Sequence, residues 1–148
     1  MKAERSRLVR LQRLERVRAI ARQAAASEAA QAEGALAQLE ALAERTRLLA
    51  ADYAGRNEAL DGAALRQLLG FAGSLQGISA STASNAVQAR QLADAKLATL
   101  AEAERRRAAV ETRADQQALR IARGENGIAR GETTMASGSR RRFGTGLE

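Results

Sequence analysis

The segment Gly55-Arg56-Asn57-Glu58-Ala59-Leu60-Asp61-Gly62 decides the fold, because it is the one place before the C-terminal tail where a helix end and a helix start adjoin. Gly55 occupies a position suited to the left-handed C′ residue that closes a helix. Asp61 is a preferred N-cap residue, and with that cap Leu60 and Leu65 form the pair of a hydrophobic staple. The connection is short enough to make the helices on either side antiparallel neighbours.

Outside this segment the 148-residue chain has no proline, and its apolar residues recur every three or four positions. That spacing predicts long helices, and richness in alanine, glutamate, leucine and arginine is typical of coiled coils. We therefore predict an all-α fold, an antiparallel two-helix coiled-coil hairpin. Its predicted parts are helix 1 at about 6–54, a turn at 55–62, helix 2 at about 63–123, all within a hairpin domain of residues 1–130, and a flexible basic tail at 131–148.

The two helices are predicted to meet along a seam, meaning the positions of each helix that face the other helix. In helix 1 the apolar stripe is Leu8, Leu11, Leu14, Val17, Ala21, Ala25, Ala29, Ala32, Leu36, Leu39, Leu42, Leu49 and Tyr53. In helix 2 the register is Leu65, Leu68, Ala72, Leu75, Ser79, Thr82, Ala86, Ala89, Ala93, Lys96, Leu100, Ala103, Arg107, Val110, Ala114, Gln117 and Ile121. Most of helix 2's positions are small, and each buried methyl group contributes only about 0.8 kcal/mol. Such a seam equally suits a four-helix dimer, so the oligomeric state stays open.

Glycines divide helix 2 into stretches of different helical propensity. Gly70, Gly73 and Gly77 together cost about 3 kcal/mol relative to alanine if their effects add. This stretch, residues 70–85, is either a bend that a partner straightens or a continuous helix whose small residues pack closely. Further along, three glycines predict the end of helix 2 near residue 123 and punctuate the start of the tail: Gly124, Gly127 and Gly131.

The composition removes several kinds of chemistry. The chain has no cysteine and no histidine, so the commonest zinc ligands, the usual general base near neutral pH and the usual nucleophilic triads are missing. We predict a non-enzymatic protein with no catalytic, cofactor-binding or metal-binding residues. The N-terminal region is too charged for a secretory signal peptide, and no stretch of about 18 apolar residues occurs.

Charge is distributed unevenly along the chain. Residues 1–23 carry a net charge of +6, residues 24–104 carry −4 and residues 105–148 carry +5, which together give the total of +7. A hairpin brings the first and last of these segments side by side, so one end is predicted to be basic. Nearly all the basic residues are arginine, whose planar fork suits carboxylate or phosphate groups. The basic end is therefore expected to bind an acidic protein surface or a polyanion.

The order of these parts resembles the FliJ family of flagellar type III export components. The resemblance extends over residues 1 to about 125 and includes comparable length, an antiparallel two-helix coiled coil, basic ends and a turn near the first third. Four residues fall where the family has a partner-binding face: Gln38, Leu42, Phe71 and Leu75.

The resemblance implies a soluble cytoplasmic stalk, peripheral to the inner membrane at the flagellar base and similar to the γ-subunit coiled coil of rotary ATPases. In that family the paired ends enter the pore of the hexameric export ATPase and promote ring assembly, while the hairpin tip side contacts the export gate protein and export chaperones. For this chain the gate and chaperone face would be the four residues just named. Charge alone suggests that acidic pore loops of the ATPase face Arg10, Arg13, Arg16, Arg113, Arg120 and Arg123.

Other interpretations remain at this stage. A basic coiled coil could associate with nucleic acid, although its basic segments lack aromatic residues for base stacking. The amphipathic helices also resemble the phasins, alanine-rich coat proteins of polymer granules. Phe71 is either a filler of the seam or an exposed contact, because it lies one residue off the predicted register.

Overall fold

The computed structural model describes residues 2–56 and 61–139, with side chains as far as residue 131. It contains two helices, α1 at Lys2–Ala54 and α2 at Gly62–Ser139, and no strand within the described residues. The helices pack against each other as an antiparallel hairpin. The predicted all-α fold class is confirmed.

α1 ends without the predicted left-handed glycine. The Gly55 N–H donates to the Ala51 carbonyl at 3.1 Å, and the Arg56 N–H donates to the Tyr53 carbonyl at 3.3 Å. No glycine in the described residues has a positive φ, so the prediction for Gly55 was wrong. These two bonds, the second of them tightened to a three-residue step, satisfy the carbonyls of Ala51 and Tyr53 instead. The Arg56 side chain reinforces this end, since its guanidinium lies over the Tyr53 ring, 4.4 Å from the centroid, and pairs with Asp52.

α2 begins at the predicted cap. The Ala64 N–H donates to Asp61 Oδ1 at 2.7 Å, and the Leu65 N–H donates to the Asp61 carbonyl at 3.0 Å. The N-cap prediction is confirmed, while Leu60 of the predicted staple lies outside the described residues. Leu65 is exposed and Ala64 is half-buried, so the first position of the predicted register was wrong by one residue.

Both helices are longer than the sequence patterns predicted. α1 begins at Lys2 rather than near Ser6, and α2 continues past residue 123 to Ser139. The predicted end at 123 was wrong. Residues 131–139 of the predicted tail are helical, and residues 140–148 lie outside the described part of the chain. Glycine in a helix costs about 1 kcal/mol relative to alanine, which weakens the helix without ending it unless the residue turns left-handed. For the same reason α2 is continuous through 70–85, although Gly70, Gly73 and Gly77 are exposed and do not pack closely against α1.

The predicted register of α2 is confirmed from Leu68 to Ile121, since every one of those positions is buried or half-buried. The seam of α1 follows an equally strict alternation of steps of three and four. Its positions are Leu8, Leu11, Glu15, Arg18, Arg22, Ala25, Ala29, Ala32, Leu36, Leu39, Ala43, Thr46, Ala50 and Tyr53.

Five residues of the predicted α1 stripe are exposed and do not belong to the seam: Leu14, Val17, Ala21, Leu42 and Leu49. Three successive steps of three, from Leu8 to Val17, explain the first errors. Each such step falls about 60° short of a full turn, so the stripe rotates away from α2. Contact with α2 requires a constant facing direction, so Glu15 and Arg18 occupy seam positions in place of the apolar Leu14 and Val17.

Most of the buried residues are small, whereas many of the large apolar side chains are exposed to solvent. The buried apolar residues among those described are six alanines with Val110 and Ile121, and no large side chain is fully buried. By contrast, leucine, isoleucine, valine and phenylalanine side chains at many described positions are exposed. Stabilisation by burial is therefore modest for each residue. The exposed side chains supply apolar surface for contacts with other molecules.

The chain divides into two compact units. The terminal unit comprises Met1–Ile20 and Glu104–Glu148, and the turn unit comprises Ala21–Ala103. Each unit contains a segment of α1 packed on a segment of α2.

Candidate partner-binding surfaces

The seam of the terminal unit contains buried polar groups. Arg107 Nη2 lies 3.4 Å from Glu15 Oε1, while Arg107 Nε is buried without a hydrogen-bond partner among the described residues. Gln117 is also buried, at 5% exposure. Because polar groups that are incompletely paired stabilise a seam less than apolar ones, this unit is held together mainly by its few aliphatic contacts. The cross-helix pair of Arg5 and Glu125 adds an exposed ion pair.

Six arginines of the terminal unit form what we term the basic cluster. All six are exposed, and none has an ion pair within the described residues. They are the six residues that charge alone suggested would face an acidic partner: Arg10, Arg13, Arg16, Arg113, Arg120 and Arg123. α1 and α2 contribute three each, so an acidic partner can contact both helices of the unit.

Side chains along the first turns of α1 surround an open space of about 640 Å³. Its lining residues are mostly cationic: Lys2, Arg5, Ser6, Val9, Arg10 and Arg13. Two arginines of the basic cluster therefore lie on one face of α1 together with an apolar side chain. Such a surface offers several guanidinium and ammonium donors to one acidic segment.

No exposed carboxylate lies on α1 between Glu4 and Ile20, because the single acidic residue in that interval, Glu15, faces the seam. Apolar side chains accompany the arginines on this outer surface, and Val17 and Ile20 are 60% and 70% exposed. The surface of α1 in the terminal unit is therefore both cationic and apolar. The sequence pattern does not predict this combination of cationic and apolar side chains, because it places Val17 in the seam.

In the turn unit, polar contacts across the seam fix how the helices align. The hydroxyls of Thr46 and Thr82 are 2.9 Å apart in a hydrogen bond, and both side chains are buried. Lys96 Nζ donates to Glu28 Oε2 at 2.7 Å, and an ion pair joins Arg90 to Glu40. The side-chain hydrogen bond from Lys96, together with its charge, lowers the pKa of Glu28.

A further ion pair joins two residues of α1. Arg47 donates to both carboxylate oxygens of Glu44, at 2.9 and 2.8 Å. The hydrogen bond lowers the pKa of Glu44 and raises the pKa of Arg47. The charge of Arg47 is thus satisfied within its own helix, in contrast to the basic cluster.

Exposed apolar side chains line one side of the turn unit, which we term the apolar flank: Leu42, Leu49, Phe71, Ile78 and Leu92. Within each helix these residues are spaced by seven or fourteen, so they lie on one face. The Arg90–Glu40 ion pair lies on the other side of the seam, since Glu40 and Leu42 are about 200° apart around α1.

The structure brings together only some of the four residues predicted as a partner-binding face. Leu42 and Phe71 share the apolar flank, Gln38 is exposed on α1, and Leu75 is half-buried in the seam. Phe71 lies at the level of Tyr53, which is about 16 Å along α1 from Leu42. The four residues therefore do not form one compact patch.

The space between Leu42 and Phe71 on the apolar flank includes two residues that the sequence reasoning did not assign to a partner. The sequence pattern predicts Leu49 in the seam and predicts no role for Ile78. The signal that could have found them is the spacing of seven from Leu42 and from Phe71, respectively.

Phe71 has both of the properties that the sequence left as alternatives. Its ring packs against Tyr53 at a right-angled contact, with centroids 4.8 Å apart and an interplanar angle of 77°. It is also 49% exposed and lies outside the seam. Part of the ring thus contacts Tyr53, while its exposed part is accessible to a partner.

Within residues 2–56 and 61–139, no group of three or more acidic residues, histidines or cysteines is placed to hold a metal ion. In the same residues, neither helix contains a segment long and apolar enough to cross a membrane. Comparisons of the chain with protein-family models, with curated proteins and with solved structures find no match.

Proposed function

We propose that this protein is a non-enzymatic adaptor, a stalk of the bacterial flagellar type III protein export apparatus that promotes assembly of the export ATPase ring. The basic cluster carries the proposal. It consists of six exposed arginines on two packed helices, all without an ion pair in the described residues. The resemblance to the FliJ family supports the choice of partner.

The basic cluster suits a partner that surrounds the terminal unit. Each guanidinium can bind a carboxylate through two parallel hydrogen bonds, and such charge-assisted pairs are stronger than neutral ones. Arg13 and Arg120 lie on different helices, so acidic loops from different subunits of a hexamer can bind at the same time. Binding several subunits through one hairpin would favour the assembled ring over separate subunits.

In this proposal the apolar flank of the turn unit binds the export gate protein and export chaperones. Leu42 and Phe71, with Leu49 and Ile78 between their levels, give an exposed apolar strip rather than a compact patch. A strip of this kind suits a helix or an extended segment lying along the hairpin. Gln38 and Leu75 would border the contact, Gln38 from the surface and Leu75 from the seam.

A granule-coat or nucleic-acid-associated role is the second candidate. The observation that favours it is the cationic and apolar surface of α1, where Val17 and Ile20 are exposed beside Arg13 and Arg16. Such a surface can bind an apolar polymer or an anionic lipid through both kinds of contact. Nucleic acid would use the arginines alone, with a strong dependence on salt.

The deciding experiment measures stimulation of a purified export ATPase by the full chain. The test variant reverses Arg113 and Arg120 to glutamate. The control reverses Arg45 and Arg66 in the turn unit, an identical change in net charge at two exposed arginines that also lack an ion pair in the described residues. We expect the test variant to lose stimulation and co-purification with the ATPase, and the control to keep both. If wild-type protein gives no stimulation but binds DNA or polymer granules, the proposed function is wrong.

A further inference from the structure

The outward face of α2 in the turn unit has an unusual distribution of charge. From Gln67 to Ala89 the chain contains no charged residue. Five residues spaced by seven lie on one face of the helix and are all exposed: Arg66, Gly73, Ala80, Val87 and Asp94. This face therefore has one positive charge at one end and one negative charge at the other.

Neither terminal charge of this face is used within the described hairpin. Arg66 and Asp94 are exposed, and neither has an ion pair or side-chain hydrogen bond in the part of the chain that the structure describes. The nearest charged residue that precedes Asp94 in α2 is Arg90, and Arg90 pairs with Glu40. Arg66 and Asp94 are thus available to another molecule.

The face is complementary to itself. Arg66 and Asp94 are equally distant from Ala80 along the helix, fourteen residues on either side. When two copies of such a helix pack antiparallel about a two-fold axis at Ala80, Arg66 of each copy meets Asp94 of the other. Val87 of each copy meets Gly73 of the other, and the Ala80 residues of the two copies meet at the axis. Among these five residues, no like charges meet in this arrangement.

We propose that a second copy of this chain packs antiparallel on this face of α2, with Ala80 at the two-fold axis and two symmetric ion pairs between Arg66 and Asp94. Val87 is 57% exposed in the single chain and becomes covered in the pair. The Val87 side chain can pack against Gly73 of the other copy without a clash, because no atom lies within 4 Å of the position that a Cβ would occupy at Gly73. The self-matching positions of the charges select a second copy over an unrelated apolar partner.

This contact is separate from the surfaces in the proposed function. The apolar flank lies on the seam side of α2, whereas Ala80 and Val87 lie on its outer side, and the basic cluster belongs to the terminal unit. A dimer can therefore form whether or not the protein binds an export ATPase. The contact area of the dimer contains few large side chains. We therefore expect weak association, in which the fraction of dimer rises with protein concentration.

Disulfide trapping tests the position of the two-fold axis. The chain has no cysteine, so Ala80→Cys introduces one thiol per copy. Residue 80 of the two copies would lie close together, within reach of the roughly 4.4–6.8 Å between Cα atoms that a disulfide allows. The control is Ala98→Cys, on the exposed surface of the same helix, where the two thiols would be about 54 Å apart. We expect mild oxidation to link the first variant and not the second.

Charge exchange tests the ion pairs. Sedimentation equilibrium of the full chain should show that Arg66→Asp and Asp94→Arg each raise the dissociation constant of the dimer by about tenfold, since each breaks two symmetric pairs. The double exchange should restore the wild-type value. Circular dichroism checks that all variants remain helical. No disulfide at residue 80, or a double exchange that does not restore association, would overturn the proposal.

Discussion

Thr46 and Thr82 share a buried hydrogen bond of 2.9 Å between their hydroxyl oxygens, across a seam whose other buried residues in this unit are alanines. Each hydroxyl also lies 3.0 Å from a carbonyl oxygen of its own helix, Ala43 for Thr46 and Ile78 for Thr82. The pair therefore satisfies two polar groups at one level of the seam. A uniform alanine seam tolerates slippage, so this pair favours one alignment of α1 with α2.

The threonine pair gives a prediction for stability. Thr82→Val should lower the free energy of unfolding by about 1 kcal/mol, because one hydrogen bond is lost while Thr46 keeps its bond to Ala43. The double variant with Thr46→Val should recover most of that loss, since both polar groups are then replaced by apolar ones. Urea unfolding followed by circular dichroism measures this, and strictly additive losses would contradict it.

The contact between Phe71 and Tyr53 gives a second prediction. Phe71→Ala should lower the free energy of unfolding by about 0.5–1.5 kcal/mol, the contribution of an edge-to-face aromatic pair. Ile78→Ala is the control, since Ile78 is similarly exposed on the apolar flank but makes no aromatic contact. Thermal unfolding distinguishes the two variants. Equal melting temperatures for both would show that the ring contact contributes nothing to stability.

Acid should weaken the turn unit through Glu28. The hydrogen bond and charge of Lys96 lower the pKa of Glu28 from its ordinary value of 4.5, so the folded state favours the carboxylate. The resulting stabilisation is present above pH 4.5 and is lost as the pH falls through the lowered pKa. Glu28→Gln should therefore be less stable than wild type at neutral pH, with a difference that disappears in acid.

Melting temperatures of wild type and Glu28→Gln, followed from neutral to acidic pH, measure this linkage. Glu33→Gln is a matched control, because Glu33 is an exposed residue of α1 without an ion pair in the described residues. A difference between wild type and Glu28→Gln that stays constant over the whole pH range would contradict the prediction.

The continuous course of α2 predicts that glycine replacements stabilise it. Gly77 is helical without a positive φ, and no atom lies within 4 Å of the position that a Cβ would occupy. Gly77→Ala should raise the free energy of unfolding by about 1 kcal/mol. Gly34→Ala, at an equally open position of α1, should behave in the same way. Destabilisation by Gly77→Ala alone would indicate that a bent form of residues 70–85 is the more stable one in solution.

The accuracy of the sequence predictions differed between the helices for a physical reason. In α2 the small residues occur at strict steps of three and four, so the register from Leu68 to Ile121 followed from periodicity. In α1 leucines occur both in and beside the seam, and hydrophobicity alone does not separate Leu11 from Leu14. Only the position of α2 separates them, because the side of α1 that faces α2 must stay the same along the whole contact.

By itself, the sequence determined that this chain is a hairpin of two long helices with a cap at Asp61, since caps, propensities and periodicity act over a few neighbouring residues. The tertiary structure decided which leucines are exposed and which charges are paired. Those outcomes depend on groups far apart in the chain: Glu15 with Arg107, and Thr46 with Thr82. That the basic cluster, Arg66 and Asp94 have no ion pair among the described residues likewise appears only once the two helices are aligned.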